Sequence, residues 1–474
     1  MNTTHRISSA AKHTAKQTAK HAAFALATLS LSISAAFAAP VFEQPDNSFA
    51  GKVMASGVNG PIVAGSEANV TGRGFKPGQQ ITLSYGGQVL NHTGMAYVAD
   101  DKGMFQGKIA VPASTPAGQH GIVVQVLKPA AATSFDLKVS PVIALSGQDR
   151  FAVTTAKLVP GLYQAAYSKK NDRIFVTSSV GRPPVQDSQI LKIDPKTFAI
   201  ETKVTPAKVA TRSDGAVYAV YGVAVNDVDD TVWVSETRDD SIAIYRQSDL
   251  ALVKRLPAGS VPHARDIVID EAAGKAYAST PMSSSVTLID ARTREVVKNI
   301  EFKSKVRGGE AGSMSLALDT VGHKLYTVTG GTNEAVVIDT RTDTVEKIFA
   351  LDGAKSAAGV DVDAKNNRLY VAAQGSDNLL IVDLATGKTL HNVPVGAGAL
   401  NVAFDPSSGL AYVANRGAGT VTVVDGNGRI VANLDGGSLP NYTLADGRGN
   451  VYLINKSKGK DDDTGDRISQ ILRK

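Results

Sequence analysis

Cysteine is absent from the 474 residues, tryptophan occurs once, histidine eight times, and charged side chains make up 20% of the chain. Without cysteine there is no disulfide framework, thiolate metal site, cysteine nucleophile or lipoprotein anchor. Equally missing are a Gly-x-Ser-x-Gly elbow, a His-Glu-x-x-His pair, a phosphate-cradling Gly-x-x-x-x-Gly-Lys and a dinucleotide fingerprint. Beyond residue 38 the histidines are His92, His120, His263, His323 and His391, too scattered along the chain for a ligand motif. His263, just before a predicted strand, is a lone candidate ligand or base, though a hydrogen-bonded structural histidine is the simpler expectation. No apolar run beyond residue 38 reaches the roughly 18 residues that a membrane helix needs. At 43% hydrophobic, the chain is nevertheless apolar enough for a large core, and its length predicts two folded units.

The formal charge of +6 is concentrated at one end. Residues 1–38 hold Arg6, Lys12, Lys16 and Lys20 and no acid, so without them 46 basic residues face 44 acidic ones. That near balance does not suggest a globally nucleic-acid-binding surface. A basic start, the apolar run Ala22–Ala38 and the small-residue ending Ala36-Phe37-Ala38 predict a cleaved secretory signal over 1–38. The expected product is periplasmic, without a transmembrane anchor after cleavage.

Residues 50–143 read as short strands separated by turns. Ile81-Thr82-Leu83-Ser84-Tyr85 alternates, Asp100-Asp101-Lys102-Gly103 has hairpin-turn chemistry, and further strands are predicted over 107–111, 121–127 and 135–139. The expectation is a small β-sandwich. Its Gly72-Arg73-Gly74-Phe75-Lys76-Pro77-Gly78 stretch resembles bacterial immunoglobulin-like modules.

From about residue 145 the sequence repeats. A small polar or acidic residue is followed seven positions later by an aromatic: Ser168/Phe175, Asn226/Trp233, Asp270/Tyr277, Asp319/Tyr326, Asp363/Tyr370 and Asp405/Tyr412. Asp446/Tyr452 repeats it at a spacing of six. Four units place a second acid, Asp290, Asp339, Asp383 or Asp425, thirteen residues after the aromatic, while the first delays it to Asp194 and the second has Arg246. The acids suit turns, and the aromatics suit burial between packed sheets. A period near 45 residues with about four strands per unit predicts an all-β, seven-bladed propeller over 145–474, preceded by the sandwich. The last unit has room for only three strands, ending at Ile468–Leu472, so 150–158 is the predicted donor of its fourth.

Tyr412-Val413-Ala414-Asn415, Tyr370-Val371-Ala372-Ala373 and Thr420-Val421-Thr422-Val423-Val424-Asp425 are versions of a known repeat phrase. Over some two-thirds of its length the chain resembles the YncE-like, YVTN-repeat seven-bladed propellers of the bacterial periplasm. That resemblance implies a periplasmic protein with no settled activity, for which nucleic-acid binding is one suggestion.

Propeller geometry sends the opening residues of each first strand to the channel mouth. Counting back from the strand ends selects Tyr163, Gln164, Tyr221, Arg265, Asp266, Asn401 and Asn441 as candidate ligand-binding residues. Loops on the same face add Arg182, Arg307, Glu310, Arg416 and Lys456. Of these, Arg182 and Lys456 belong to two insertions, 179–187 and 456–463, expected to stand side by side. Arginines with interleaved tyrosines offer charge-assisted donors and stacking surfaces. The expected function is non-catalytic: a mouth face that engages a periplasmic protein or small ligand, with no catalytic residue, metal or cofactor. Single-stranded DNA is an alternative ligand. A quinone- or metal-dependent oxidoreductase, or a lactonase-like hydrolase, is the alternative from another class.

Overall fold

The computed structural model describes residues 48–474, so the expected signal segment lies outside the described residues. Strands account for nearly all regular structure there; one short 3-10 turn spans Gln148–Arg150. No helix among the described residues is long and apolar enough to cross a membrane.

Residues 52–139 form two antiparallel sheets around one core. One contains Lys52–Gly57, Glu67–Arg73 and Phe105–Ala110; the other is built on Gln80–Tyr85, Gly118–Leu127 and Ala131–Val139. Alternation along Gln80–Tyr85 buries Ile81 and Leu83 while their neighbours stay partly exposed, as a sheet with one wet face requires. The alternation legible in the sequence thus fixes which side chains enter this core.

Seven four-stranded antiparallel sheets follow among the described residues. The first six run in chain order over 162–204, 223–255, 267–301, 313–350, 357–394 and 399–435. The seventh joins Pro440–Ala445, Asn450–Asn455 and Arg467–Arg473 to Phe151–Lys157, which supplies its outer strand. Seven registered pairs, from Arg467 with Lys157 to Arg473 with Phe151, make that closing seam. The first strand of each sheet packs on the first strand of the next, and the seventh returns to the first. Consistent with a ring, each junction has its own apolar cluster, including the one in which Leu162, Ile174 and Leu191 meet Tyr452 and Ile468.

The repeat residues perform the jobs their chemistry suggested. Phe175, Trp233, Tyr277, Tyr326, Tyr370, Tyr412 and Tyr452 are all buried on second strands. Asp290 ends a third strand and accepts N–H bonds from Arg292 and Thr293 at 2.8 and 2.7 Å. Arg294 N–H then bonds back to Asp290 C=O with Arg294 at φ 60°. The same turn recurs after Asp194, Arg246, Asp339 and Asp383. In the last of these the left-handed residue is Gly387, the type that tolerates it best.

The N-terminal sheets are fastened to the ring within one compact unit, 46–474. Lys138 Nζ reaches Asp377 Oδ1 at 2.8 Å and Gln374 O at 3.1 Å, and Gln119 Nε2 reaches Gly375 O at 2.9 Å. Ser146 exchanges two 3.0 Å backbone bonds with Asn433 on the outer strand of the sixth sheet.

Candidate functional site

Five polar side chains tie the first strand of one sheet to that of the next. Gln164 Oε1 accepts Val223 N–H at 3.3 Å, and Asp266 Oδ2 accepts Leu316 N–H at 3.0 Å. Asp361 Oδ2 accepts Phe404 N–H at 2.7 Å, and Asn401 Oδ1 accepts Thr443 N–H at 2.8 Å. Asn441 Nδ2 completes the set by donating to Tyr163 O at 2.6 Å. Edge-on backbone groups near a crowded axis cannot reach a strand partner, so a short polar side chain from the neighbouring sheet satisfies them. Gln164, Asp266, Asn401 and Asn441, predicted as ligand residues, are therefore also fasteners of the ring.

Above them lies a cavity of about 230 Å³, lined by residues from at least six sheets. It brings together seven predicted residues: Tyr163, Gln164, Arg265, Asn401, Arg416, Asn441 and Lys456. Ser315, Gln374, Leu400 and Tyr442 complete the lining, which contains no Asp or Glu. Gln374 was missed by counting back along first strands. It directly follows the second strand of its sheet, as Arg416 and Lys456 do in theirs, so aligning the repeats at that position would have found it.

The other five predicted residues fall elsewhere. Tyr221 stands behind the lining, its ring edge-on to Tyr163 at 5.0 Å. Asp266 sits below, beside a second cavity of about 480 Å³ that receives Ala166, Ala224, Val268, Ala317, Asp361, Ala403 and Leu444, one from each sheet. Tyr442, Asn401 and Ser315 border both cavities and form the floor of the upper one. Glu310 lines a third cavity that shares no residue with the mouth, and Arg182 and Arg307 are exposed on loops outside it. His263 donates its backbone N–H to Asp240 at 2.6 Å and lines none of these cavities.

The starts of the two insertions are linked through Gly161 and Asp466. Asp466 accepts N–H bonds from Gly161 at 2.9 Å and Ser457 at 3.1 Å, while Gly161 C=O accepts Ser179 N–H at 2.8 Å. Lys456 is thereby held with its ammonium 5.2 Å from the Tyr163 ring centre.

Electrostatically the mouth is one-signed. Burial, with Arg416 nearby, pulls the Lys456 ammonium down to about 8, against a smaller opposing pull from Asp466. Burial also lowers Arg416, whose guanidinium hydrogen-bonds Asn441 Oδ1. Arg265 contributes a buried Nη1 with no hydrogen-bond partner. Asp266 and Asp361 are on the other side of the floor. There burial raises Asp266, pushes Asp361 up to about 6, and together with them raises the Tyr442 hydroxyl. Arg265 and two desolvated cations around one small space make its field positive. Among the described residues no group of three or more His, Asp or Glu could hold a metal ion.

No family model matches the chain. It is homologous to YncE: it is 24% identical over 328 residues to the uncharacterized YncE of Salmonella typhimurium, spanning 66% of this chain and 88% of that protein. With YncE of Escherichia coli K12 the identity is 25% over 262 residues, 52% of this chain and 68% of the relative. Among solved structures, Kuenenia stuttgartiensis hydrazine synthase superposes with a TM-score of 0.54 at 16% identity, covering 67% of this chain and 97% of that one. Virginiamycin B lyase from Staphylococcus aureus gives 0.52 at 13% identity, covering 68% and 99%. These neighbours are propeller proteins, and the likeness establishes the propeller fold of this chain.

Proposed function

We propose that this chain is a periplasmic binding protein in which an immunoglobulin-like sandwich precedes a seven-bladed propeller, and that the propeller mouth captures a small anionic group. The observation that carries the reading is the mouth cavity itself, where Arg265, Arg416 and Lys456 supply positive charge and no carboxylate lines the wall. Desolvated cations without a carboxylate partner are stabilised by an anion placed among them. Seven sheets, seven junction clusters and the return of the last sheet to the first support the blade count. The two-sheet core over 53–139 supports the sandwich. Arg182 and Arg307, which a track for single-stranded DNA would use, stand outside the cavity, so a small anionic head fits the geometry better than a nucleic-acid strand.

Calorimetric titration with acetate and with inorganic phosphate at low ionic strength tests this. Saturable binding is expected, weakened at least about tenfold in Arg416→Gln. Absence of binding by both anions to the wild-type protein would overturn the reading.

A further inference from the structure

The mouth cavity alone is small. At about 230 Å³ it falls below the roughly 300–1,000 Å³ usual for pockets that enclose a whole organic ligand. It is large enough for a head group and not for a body. Space for a body lies next to it. A groove of about 490 Å³ runs between the N-terminal sheets and the ring, and Arg416 and Gln374 line both the groove and the mouth. Arg416 and Gln374 thus form a boundary common to the anion site and to a channel whose far wall is the sandwich.

The groove has its own unsatisfied chemistry. Ser140, 3% exposed, lies in its wall. Ala55, Ser56 and Gly57 line it from Lys52–Gly57, a strand with a sheet neighbour on one side only. An edge strand offers a row of main-chain donors and acceptors to any extended chain laid beside it. Ile62, Ala397 and Leu439 supply apolar surface between these polar points. The walls are fixed: Lys138, which also lines the groove, is anchored by Asp377 and Gln374 O, and Asp377 also accepts Gly398 N–H at 2.6 Å.

Building on the anion-binding mouth, we propose that the ligand is the C-terminal end of a short extended peptide. Its terminal carboxylate sits among Arg265, Arg416 and Lys456, and its last residues lie in the groove against the Lys52–Gly57 edge. The carboxylate meets the cations, the peptide groups meet the open strand edge, and alternate side chains meet the apolar patches. The sandwich is then half of the binding site, and the two sheet systems are bolted together because the ligand spans both.

The test compares acetate, N-acetyl-trialanine with a free carboxylate, and the same tripeptide as its C-terminal amide, by calorimetry on the protein and on a Ser56→Tyr variant. Ser56 is exposed, so a tyrosine there fills the groove without entering the core. The acid tripeptide is expected to bind at least about tenfold more tightly than acetate and than the amide. Ser56→Tyr should remove that advantage and leave acetate binding unchanged. Equal affinities for acetate and tripeptide, or no effect of Ser56→Tyr on the peptide, would overturn the groove while leaving the mouth reading intact. An amide that binds as well as the acid would overturn C-terminal recognition. If acetate, phosphate and the tripeptide all fail to bind, the mouth reading falls and this inference falls with it.

Discussion

The closing strand Phe151–Lys157 has a single fully buried anchor, which makes the stability of the ring seam a one-residue problem. Along the strand only Phe151 is buried, at 3% exposure; Ala156 is partly covered and the other five residues face solvent. Its ring packs edge-on to Tyr412 with centroids 6.3 Å apart, within the cluster that contains Leu410, Leu434 and Ile471. Truncating a buried Phe to Ala typically costs about 3–5 kcal/mol, combining lost transfer energy with the cavity left behind. Backbone pairing to Arg467–Arg473 survives the substitution, so the cost falls on the seam and favours local opening over global unfolding. Hydrogen exchange followed by mass spectrometry reads that opening directly. Where reclosing outpaces exchange, 3–5 kcal/mol corresponds to amides of 151–157 exchanging roughly a hundred- to several thousand-fold faster in Phe151→Ala. Val153→Ala, at a position 47% exposed on the same strand, should change exchange by no more than about two- to threefold. An increase below about tenfold in Phe151→Ala would refute the reasoning, because pairing alone would then be holding the ring closed.

Two further predictions concern the charges around the channel. Asp361 is an acid raised to about 6 by burial, against 3.8 for the free group, so the folded state holds its proton more tightly than the unfolded chain. Its contribution is fully present below the unfolded value and is lost as pH rises toward 6, by up to about 3 kcal/mol; urea midpoints should therefore show wild type losing stability relative to Asp361→Asn between pH 4 and 6, and a pH-independent difference would refute the assignment. Lys456 is the opposite case, a base lowered to about 8 from 10.5, so the folded state is penalised below pH 8 and recovers as pH rises toward 10.5. Lys456→Met should raise stability at pH 7 by up to about 3 kcal/mol while weakening phosphate binding, and wild-type anion affinity should fall as pH rises through 8; a variant less stable than wild type at pH 7 would show that the ammonium is not paying a desolvation cost.

The repeat was legible because each of its residues has one physical job that tolerates few substitutes. An aromatic filling the space between sheets and an Asp closing a turn are chemical demands that recur in every unit, so Trp233 and Tyr277, or Asp290 and Asp339, announce the same place in the fold. Even the missing strand could be assigned, since a ring with one three-stranded sheet leaves an edge that the segment before the first sheet is placed to cover. The mouth was legible only in part, and the reason is that one strand position serves two purposes. Gln164, Asn401 and Asn441 face the cavity and at the same time satisfy backbone groups of the adjoining sheet, so their polarity signals ring assembly as much as ligand contact. Arg307 and Glu310 are marked in the sequence only by their charge, and charge on a long loop carries no information about where the loop points.

What distinguishes Arg265, Arg416 and Lys456 from the other cations is an imbalance that only the folded chain displays. Lys138, Lys275 and Lys324 are all partly buried, yet each has a carboxylate within 2.8 Å. In the mouth the acids of comparable depth, Asp266 and Asp361, have been spent on backbone N–H groups of the next sheet and lie below the floor. Asp466 likewise serves the backbone of Gly161 and Ser457. The ring thus consumes its own negative charge in holding the sheets together. Positive charge is left concentrated at the mouth, and the proposed anion site is the imbalance that assembly leaves behind.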